Sequence, residues 1–414
     1  MRRGRGALGF SFFVQGVTFA LLVTRIPGIQ KAYGISDGLL PLFLAAVPVL
    51  AGVASVVTER LVKRVPPSVV LGWSQPVVLL ALLGVGAGTR LWHAAVALAF
   101  FGLAVGALDA SMNMLGVSLQ RAYGRSIMLG FHAAYSLGGI VGASAAWAGA
   151  HWHLGLFVSY LPAVALLLPL VLAGSRYYVD RDRADLDGAD RDGAAQDGRQ
   201  ESARAAGSAV KFAVLWPLCL VMACAYIGDS TVANWSAKYL QDVLGSSEQL
   251  ATVPYNVYMV TTLLGRAVGD LGVRRFGAAG VVRCGTLVAA GGFAVVAVAQ
   301  GAWVGMLGFT LLGFGLCVIV PQTFAAAGRL FPGSSDTAIA RLNIFNYVGF
   351  LVGSPLVGAL GDAWSYRGAM LVPMLLVLVT LFHARSFGAA EGARYRVGHE
   401  RAPIADVGRG GHGL

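Results

Sequence analysis

Twelve stretches of predominantly apolar residues follow one another along this chain of 414 residues. A helix that crosses the ~30 Å hydrocarbon core of a bilayer needs roughly 20 such residues. In the N-terminal part these stretches cover residues 8–30, 38–57, 68–88, 92–119, 127–149 and 154–174. In the C-terminal part they cover residues 212–240, 248–271, 278–300, 303–328, 336–360 and 366–386. The sequence therefore predicts an all-α integral membrane protein with twelve transmembrane helices.

The composition indicates a chain surrounded by lipid rather than by water. Hydrophobic residues make up 57% of the sequence and charged residues only 12%, whereas soluble domains carry about 25% charged residues. The mean hydropathy is +0.69. A soluble protein of this composition would expose large apolar patches to water. A soluble enzyme and a soluble binding module are therefore excluded, and the lipid bilayer is the expected environment.

The positively charged residues indicate which side of the membrane holds the termini. An even number of crossings places both termini on one side, and 24 of the 31 Lys and Arg residues fall on that side. Lys and Arg are enriched in cytoplasmic loops, so we predict a multi-pass protein of the cytoplasmic (plasma) membrane with both termini in the cytoplasm. The net charge of +11 is spread over short loops and tails, so no nucleic-acid partner is expected.

A polar segment divides the twelve stretches into two groups of six. Residues 175–211 alternate aspartates with arginines and contain almost no large apolar side chains, so they cannot bury a core. We predict a first six-helix bundle over residues 1–174, a disordered cytoplasmic linker over 175–211, a second bundle over 212–387 and a cytoplasmic tail over 388–414. Two equivalent six-helix units are typical of secondary transporters, whose binding site lies between the units near the middle of the membrane.

Each group carries a charged motif between its second and third stretches. The first-half motif contains Lys63 and Arg64. The second-half motif reads Gly265-Arg266-Ala267-Val268-Gly269-Asp270 and continues to Arg274-Arg275-Phe276-Gly277. The second motif resembles the cytoplasmic loop motif of the major facilitator superfamily, in which Asp and Arg form a clamp between helix ends. The resemblance implies two pseudo-symmetric six-helix bundles (the major facilitator fold) and makes Lys63, Arg64, Arg266, Asp270, Arg274 and Arg275 candidate clamp residues. Because Lys63 replaces the usual Asp, a weaker clamp is expected in the first half.

Further segments are similar to the fucose-permease-like branch of that family. They are Gly106–Asn113 in the fourth stretch, Phe131–Gly139 in the fifth, Ile319–Phe324 in the tenth and Asn346–Phe350 before Gly353-Ser354-Pro355 in the eleventh. The first stretch has Gln15, Thr18 and Thr24 instead of the carboxylate that sugar–proton symporters of the branch can carry. The substrate is therefore not identified as fucose by this resemblance.

Two carboxylates lie well inside apolar stretches, Asp109 in the fourth and Asp229 in the seventh. A charge at the centre of a membrane helix costs about 2.5–3.5 kcal/mol on insertion scales, and such residues usually face a cavity or a partner. Asp109 is four residues from Asn113, so both lie on one helix face. We predict that Asp109 is a proton-coupling residue, with a structural hydrogen bond to another helix as the alternative. Asp229 is a second candidate, although it could instead be an acid at the membrane interface.

Other polar side chains inside the stretches are candidates for proton transfer or for binding the solute. His132 could relay a proton to Asp109, because imidazole titrates in the useful range, or it could be hydrogen-bonded in a helix end. The predicted substrate-binding residues are Asn113, Tyr135, Asn256, Gln322, Asn346 and Tyr347. Polar residues also join membrane helices to each other. Arg341 either extends to the cytoplasmic interface, which we favour, or pairs with an anionic solute.

The chain lacks the sequence patterns of a membrane enzyme. No nucleophile elbow, zinc-protease motif or phosphate-binding loop is present, and the four cysteines have no metal-binding spacing. No enzyme activity, cofactor or metal is therefore expected. We predict a monomeric secondary active transporter that moves a small polar organic solute, such as a sugar-like molecule, by alternating access with protons. The alternatives are a proton-driven efflux pump for drugs or natural products and a non-transporting sensor of the same fold.

Overall fold

The structure is a computed structural model that describes residues 2–36, 39–180, 212–247, 250, 253–331 and 333–388. The regular secondary structure of these residues is helical, and they contain no β-strand. Most of the predicted linker (181–211) and most of the predicted tail (389–414) lie outside the described residues.

Seven helices form the first half of the molecule. They are α1 (Arg2–Thr24), α2 (Ile26–Tyr33), α3 (Leu40–Leu61), α4 (Pro67–Ala87), α5 (Leu91–Tyr123), α6 (Met128–His151) and α7 (Leu156–Ser175). The second half contains α8 (Phe212–Lys238), α9 (Val253–Val298), α10 (Ala302–Leu316), α11 (Ile319–Leu330), α12 (Ser335–Ala363), α13 (Tyr366–Ala369) and α14 (Leu371–His383). A π-helical turn (Tyr239–Val243) extends α8, and a 3₁₀ turn (Ala384–Phe387) follows α14.

The helices account for twelve membrane crossings. In the described part of the chain, nine helical segments are long and apolar enough to cross a membrane. One of them, α9, is 46 residues long and contains two crossings, because Gly277 has non-helical dihedrals (φ 75°, ψ 159°). The remaining crossings are α3 and α6, with 22 and 24 residues. The prediction of a twelve-helix, all-α membrane protein is therefore confirmed.

The two halves repeat the same helix pairings. In the first half α1 packs on α6 and α4 packs on α7, and in the second half α8 packs on α12 and α9 packs on α14. The halves meet along two seams, one between α3 and α12 and the other between α6 and α9. Each seam joins the second crossing of one half to the fifth crossing of the other. The pairings therefore have the pseudo-symmetry that the fold class predicts.

Small residues allow the closest helix contacts within each half. A Cβ atom on Gly138 of α6 would overlap the carbonyl oxygen of Phe13 in α1, and one on Gly349 of α12 would overlap the carbonyl oxygen of Ala223 in α8. These positions tolerate only glycine at the observed helix separation. The two contacts are equivalent under the pseudo-symmetry, so both halves use the same packing device.

The first residues of the predicted linker are packed against the first half. The hydroxyl of Tyr178 lies 2.6 Å from Ser11 Oγ and donates a hydrogen bond to Gln75 Oε1 at 3.1 Å. The carboxylate of Asp180 accepts hydrogen bonds from the backbone N–H (3.1 Å) and the hydroxyl of Ser68. The sequence assigns these residues to a disordered segment, but Tyr178 has polar partners within α1 and α4, and Asp180 has one at the start of α4. Residues 175–180 of the predicted linker are therefore ordered against the first half.

The face of the molecule at which α1 begins and α5 ends is called the terminal face below. The other ends of the same helices form the opposite face. Hydrogen bonds of Tyr178 and Asp180 with residues of α1 and α4 place the end of α7 on the terminal face as well.

Candidate functional site

Asp109 of α5 lies between the two halves. Its carboxylate accepts hydrogen bonds from the side-chain amide of Gln15 in α1 and from the hydroxyl of Tyr347 in α12. Gln15 belongs to the same half as Asp109, whereas Tyr347 belongs to the other. One membrane-embedded carboxylate therefore joins the two halves directly.

Asp229 of α8 is held entirely from its own half. The hydroxyl of Tyr258 in α9 donates a hydrogen bond to its carboxylate. Tyr135 and Tyr226 lie within electrostatic reach of both Asp229 and Asp109. These two tyrosines therefore lie near both acids.

Arg266 brings a positive charge into the same region. Its guanidinium donates hydrogen bonds to Ser136 Oγ of α6 (2.7 Å) and to the carbonyl oxygen of Cys317 (3.4 Å). Arg266 also interacts electrostatically with Asp229 and Tyr135. The sequence places this arginine with the clamp at the helix end, but it lies one turn deeper than Asp270 and reaches across the seam.

These side chains form one group at the boundary between the halves. The central polar cluster consists of Gln15, Asp109, Tyr135, Ser136, Tyr226, Asp229, Tyr258, Arg266 and Tyr347. It contains two carboxylates, one guanidinium and four tyrosines. Such a group can bind a hydroxyl-bearing or charged solute through several hydrogen bonds, and it can hold or release a proton on a carboxylate.

The other predicted proton-transfer residue has apolar neighbours. The imidazole of His132 lies beside the rings of Phe12 and Phe324, with ring centroids 5.3 and 6.4 Å away. Its Nε2 atom is buried and has no hydrogen-bond partner among the described residues. The hydrogen bonds to the Asp109 carboxylate come from Gln15 and Tyr347, so a direct relay between His132 and Asp109 is not formed in this conformation.

The predicted substrate-binding residues fall into different surroundings. Asn113 donates to the backbone carbonyl of Asp109 at 2.9 Å, while its Oδ1 atom is buried and accepts no hydrogen bond from any described residue. Asn346 donates to Asn343, which in turn donates to Ser55 Oγ of α3 at 3.1 Å. These last contacts extend across the α3–α12 seam, so Asn346 belongs to a network that joins the halves.

Two further candidates differ in exposure. Gln322 is fully buried, and neither atom of its amide group has a hydrogen-bond partner in the described part of the chain. Asn256 of α9 is exposed next to Tyr255, which stacks on Tyr258 at 6.3 Å. The structure brings Tyr135 and Tyr347 to Asp109, whereas the amide of the described residue Gln322 makes no hydrogen bond to that carboxylate.

Residues of the second-half motif form hydrogen bonds with the loop between α5 and α6. The carboxylate of Asp270 accepts hydrogen bonds from Ser126 Oγ (2.5 Å) and from the backbone N–H of Gly130 (2.9 Å). The guanidinium of Arg274 donates to the carbonyl oxygen of Ser126 at 2.7 Å. Acid and base thus hold the same short loop of the opposite half.

The remaining clamp candidates lie on the surface of the terminal face. Lys63 and Arg64 are exposed, and their side chains make no hydrogen bond or ion pair with any other described residue. Arg275 is also exposed and lies over the ring of Phe276 at 5.4 Å. The grip between the halves is therefore asymmetric, as the departures in the first-half motif suggest.

An ion pair at the other seam was not anticipated from the sequence. Arg341 of α12 donates to Glu59 of α3, with Nη2 2.8 Å and Nε 3.0 Å from the same carboxylate oxygen. Arg341 therefore pairs with a residue of the other half rather than extending alone to the interface. Glu59 adjoins the first-half motif, but a single sequence does not indicate which distant helix its side chain faces.

A model of the Major Facilitator Superfamily matches residues 8–291 and, with overlap, residues 218–405. The two matches together span nearly the whole chain. The chain belongs to the major facilitator superfamily. This family assignment agrees with the twelve crossings, the two pseudo-symmetric halves and the Asp–Arg clamp, and it makes the protein a membrane transporter of small molecules.

Two bacterial relatives match most of the length of this family member. It is 28% identical over 381 residues to an uncharacterized MFS-type transporter of Yersinia pestis, covering 91% of this chain and 94% of the relative. It is 25% identical over 373 residues to the membrane protein MosC of Rhizobium meliloti, covering 88% and 85% of the two chains.

Solved transporters of the superfamily have the same fold. FucP in its outward conformation superposes with a TM-score of 0.76 and 16% identity, covering 92% of this chain and 98% of FucP. The human organic anion transporter MFSD10 gives a TM-score of 0.74 at 16% identity, covering 92% and 99%. These similarities confirm the predicted fold class and the likeness to the fucose permease.

Proposed function

We propose that this transporter moves a small polar organic solute across the plasma membrane by alternating access, with a proton coupled through Asp109. The observation that supports this most strongly is the pair of hydrogen bonds that Asp109 accepts from both halves. A group that joins the halves in the middle of the membrane can make their relative movement depend on its own protonation.

The proposed coupling follows from the free energy of a charge in lipid. An ionised carboxylate is stabilised by hydrogen bonds from Gln15 and Tyr347, and bonds to a charged acceptor are roughly twice as strong as neutral ones. Separating the halves removes the bond from Tyr347 and leaves a less satisfied charge in a medium of low dielectric constant, which is costly. Protonation removes that charge, so the halves can separate at a lower cost.

The proposed orientation places the terminal face in the cytoplasm. The excess of Lys and Arg on that side supports this orientation. Three contacts between the halves lie closer to the terminal face than Asp109 does. They are made by Glu59, Asp270 and Arg274. In this orientation the described conformation is closed towards the cytoplasm, and opening of the clamp would release the solute there.

The chemistry of the central polar cluster supports a polar solute. Four tyrosines, an amide, two carboxylates and one guanidinium supply both donors and acceptors, as hydroxyl groups of a sugar-like molecule require. FucP is named a fucose:proton symporter, and proton coupling is proposed here independently, from the contacts of Asp109.

Reconstituted protein tests the proposal directly. Proteoliposomes are supplied with labelled monosaccharides, polyols and amino sugars, with and without an imposed pH gradient. We expect Asp109→Asn to abolish accumulation driven by the gradient while exchange of solute across the membrane partly survives. Asp362→Asn is the matched control, because Asp362 is an exposed acid paired with Tyr366 outside the cluster.

The outcomes separate the alternatives. Unchanged gradient-driven accumulation in Asp109→Asn would contradict the role of this residue. Loss of cationic solutes alone would make Asp109 a counter-ion for the substrate. Accumulation that requires the opposite gradient would indicate efflux, and binding without any accumulation would indicate a sensor.

A further inference from the structure

A basic cavity opens at the terminal face, away from the central polar cluster. It has a volume of about 450 Å³ and lies between the start of α1 and the loop that joins α5 to α6. Three arginines line it, namely Arg2, Arg5 and Arg125. Tyr123 and Gly130 also contribute to its wall.

The three arginines have no anionic partner in the part of the chain that the structure describes. The guanidinium groups of Arg2, Arg5 and Arg125 make no ion pair or hydrogen bond with any other described residue. The guanidinium of Arg5 lies 5.8 Å from the ring centroid of Tyr123, which orients it at the cavity. Arg341 and Arg274 of this face, by contrast, have partners within the protein, since Arg341 pairs with Glu59 and Arg274 binds a backbone carbonyl.

Three cations around one cavity repel each other, and an anion between them would remove that cost. A guanidinium presents a planar fork of donors that matches the oxygens of a phosphate group. The cavity lies where the helices end, which is the level of the lipid headgroups. Basic pockets on the cytoplasmic side of membrane proteins suit anionic headgroups for this reason.

We propose that this cavity binds a phosphate group, supplied by the headgroup of an anionic phospholipid. The three arginines hold the phosphate oxygens, and Tyr123 positions Arg5. Arg125 directly precedes Ser126, which both Asp270 and Arg274 bind. A bound headgroup would therefore stabilise the α5–α6 loop, to which Asp270 and Arg274 of the second half bind.

Binding is measured by native mass spectrometry of the full-length protein released from nanodiscs that contain phosphatidylcholine with or without phosphatidylglycerol. We expect retention of phosphatidylglycerol but not of phosphatidylcholine. Each basic residue near a membrane surface contributes ~1 kcal/mol of attraction to anionic lipid. The double variant Arg5→Gln/Arg125→Gln should therefore bind phosphatidylglycerol at least about tenfold more weakly.

The matched control removes the same charge elsewhere on the face. Arg60 and Arg283 are exposed, have no hydrogen-bond or ion-pair partner among the described residues and do not line the cavity. Arg60→Gln/Arg283→Gln should retain phosphatidylglycerol as the wild type does. If both double variants lost phosphatidylglycerol binding equally, the loss would be explained by net charge alone, and the proposal would be overturned.

A second experiment, with soluble phosphate compounds, tests whether the phosphate comes from a lipid headgroup. Glycerol 3-phosphate and inorganic phosphate are added to protein in neutral detergent, and the thermal unfolding midpoint is recorded. The proposal predicts stabilisation by phosphatidylglycerol with little effect of either soluble anion. Stabilisation by the soluble anions alone would overturn the lipid assignment. A further variant changes Asp182, Asp185 and Asp187 of the linker to Asn. If phosphatidylglycerol bound only to this variant, the linker itself would be the occupant of the cavity, and the lipid proposal would be overturned.

Discussion

At the residue scale, three charged side chains lie at different depths between the halves. Along its helix Arg266 is eight residues from Arg274, which corresponds to ~12 Å from the terminal face. Asp109 is fourteen residues from Tyr123, or ~21 Å from that face, and Asp229 is nine residues from Lys238, or ~14 Å from the opposite face. Of the two acids, only Asp109 accepts hydrogen bonds from both halves. The coupling role is therefore assigned to Asp109.

The hydrogen bond between Tyr347 and Asp109 gives a first prediction. Tyr347→Phe removes the donor from the second half and keeps the ring. A hydrogen bond to a charged group contributes about 1.5–3 kcal/mol, so the initial rate of gradient-driven uptake should fall about tenfold or more. Solute exchange without a gradient should fall much less.

Tyr226→Phe provides the control for that measurement. Tyr226 lies within electrostatic reach of both acids, but its hydroxyl does not hydrogen-bond to either of them. In this variant the ratio of gradient-driven uptake to solute exchange should stay close to that of the wild type, because the hydrogen bonds to Asp109 come from Gln15 and Tyr347. Equal losses in the two variants would show that the hydroxyl of Tyr347 has no special part in coupling.

The sequence could identify the acids of the site but not their partners. A carboxylate inside an apolar stretch is detectable because of its insertion cost, and this singled out Asp109 and Asp229. Gln15, Ser136 and Glu59 were missed as site residues, because an uncharged or interfacial polar side chain gives no such signal. Their role depends on which distant helix they face, and the helix arrangement is set by tertiary packing.

At the element scale, the glycines of α6 fix the distance between α6 and α1. A Cβ atom on Gly138 would overlap the Phe13 carbonyl, whereas one on Gly139 would meet nothing within 4 Å. Overpacking typically costs ~1–3 kcal/mol, so Gly138→Ala should lower the thermal unfolding midpoint by several degrees. Gly139→Ala should leave it unchanged or raise it slightly, since alanine favours the helix. Similar midpoints for both variants would contradict the close contact.

The seam between α3 and α12 gives a prediction about gating. The side chains of Arg341 and Glu59 are only 29% and 16% exposed, so their ion pair should contribute about 1 kcal/mol, at the upper end of the range for surface pairs. Glu59→Gln should therefore shift the protein towards the conformation that is open at the terminal face. The reversed pair Glu59→Arg/Arg341→Glu should restore much of the closed population.

The shift can be measured by the accessibility of a position that is buried in the other seam. Ser136 is 3% exposed and lies against Arg266 between α6 and α9. In a background with the exposed Cys284 changed to Ser, a cysteine at position 136 is labelled with a membrane-impermeant maleimide from the terminal side. Labelling should be about fivefold faster in Glu59→Gln than in the unmodified pair. Equal labelling rates would show that the ion pair does not hold the terminal face closed.

The element pattern was predictable from the sequence, whereas its fine structure was not. Apolar stretches of about 20 residues define membrane helices because of the bilayer thickness. They did not reveal that Gly277 interrupts one long helix or that α10 and α11 are separate helices within one crossing. Such breaks depend on local backbone conformation rather than on hydropathy.

At the scale of the whole molecule, the two halves pack against each other along two seams. The seams between α3 and α12 and between α6 and α9 are equivalent under the pseudo-symmetry. The ion pair of Glu59, the grip of Asp270 on the α5–α6 loop and the bond from Arg266 to Ser136 all lie on the terminal side of Asp109. Rocking of one half against the other would break these contacts together.

The neutralisation of Asp109 is the event proposed to permit that movement. It is tested most directly by electron–electron distance measurements in lipid, with one spin-label pair at Arg60 and Arg283 on the terminal face and a second pair at Arg90 and Ala363 on the opposite face. All four positions are exposed. For Asp109→Asn we predict a longer distance for the first pair and a shorter distance for the second, relative to the same labels with Asp109 intact. Unchanged distances at both faces, or changes of the same sign, would contradict the coupling of this carboxylate to the movement of the halves.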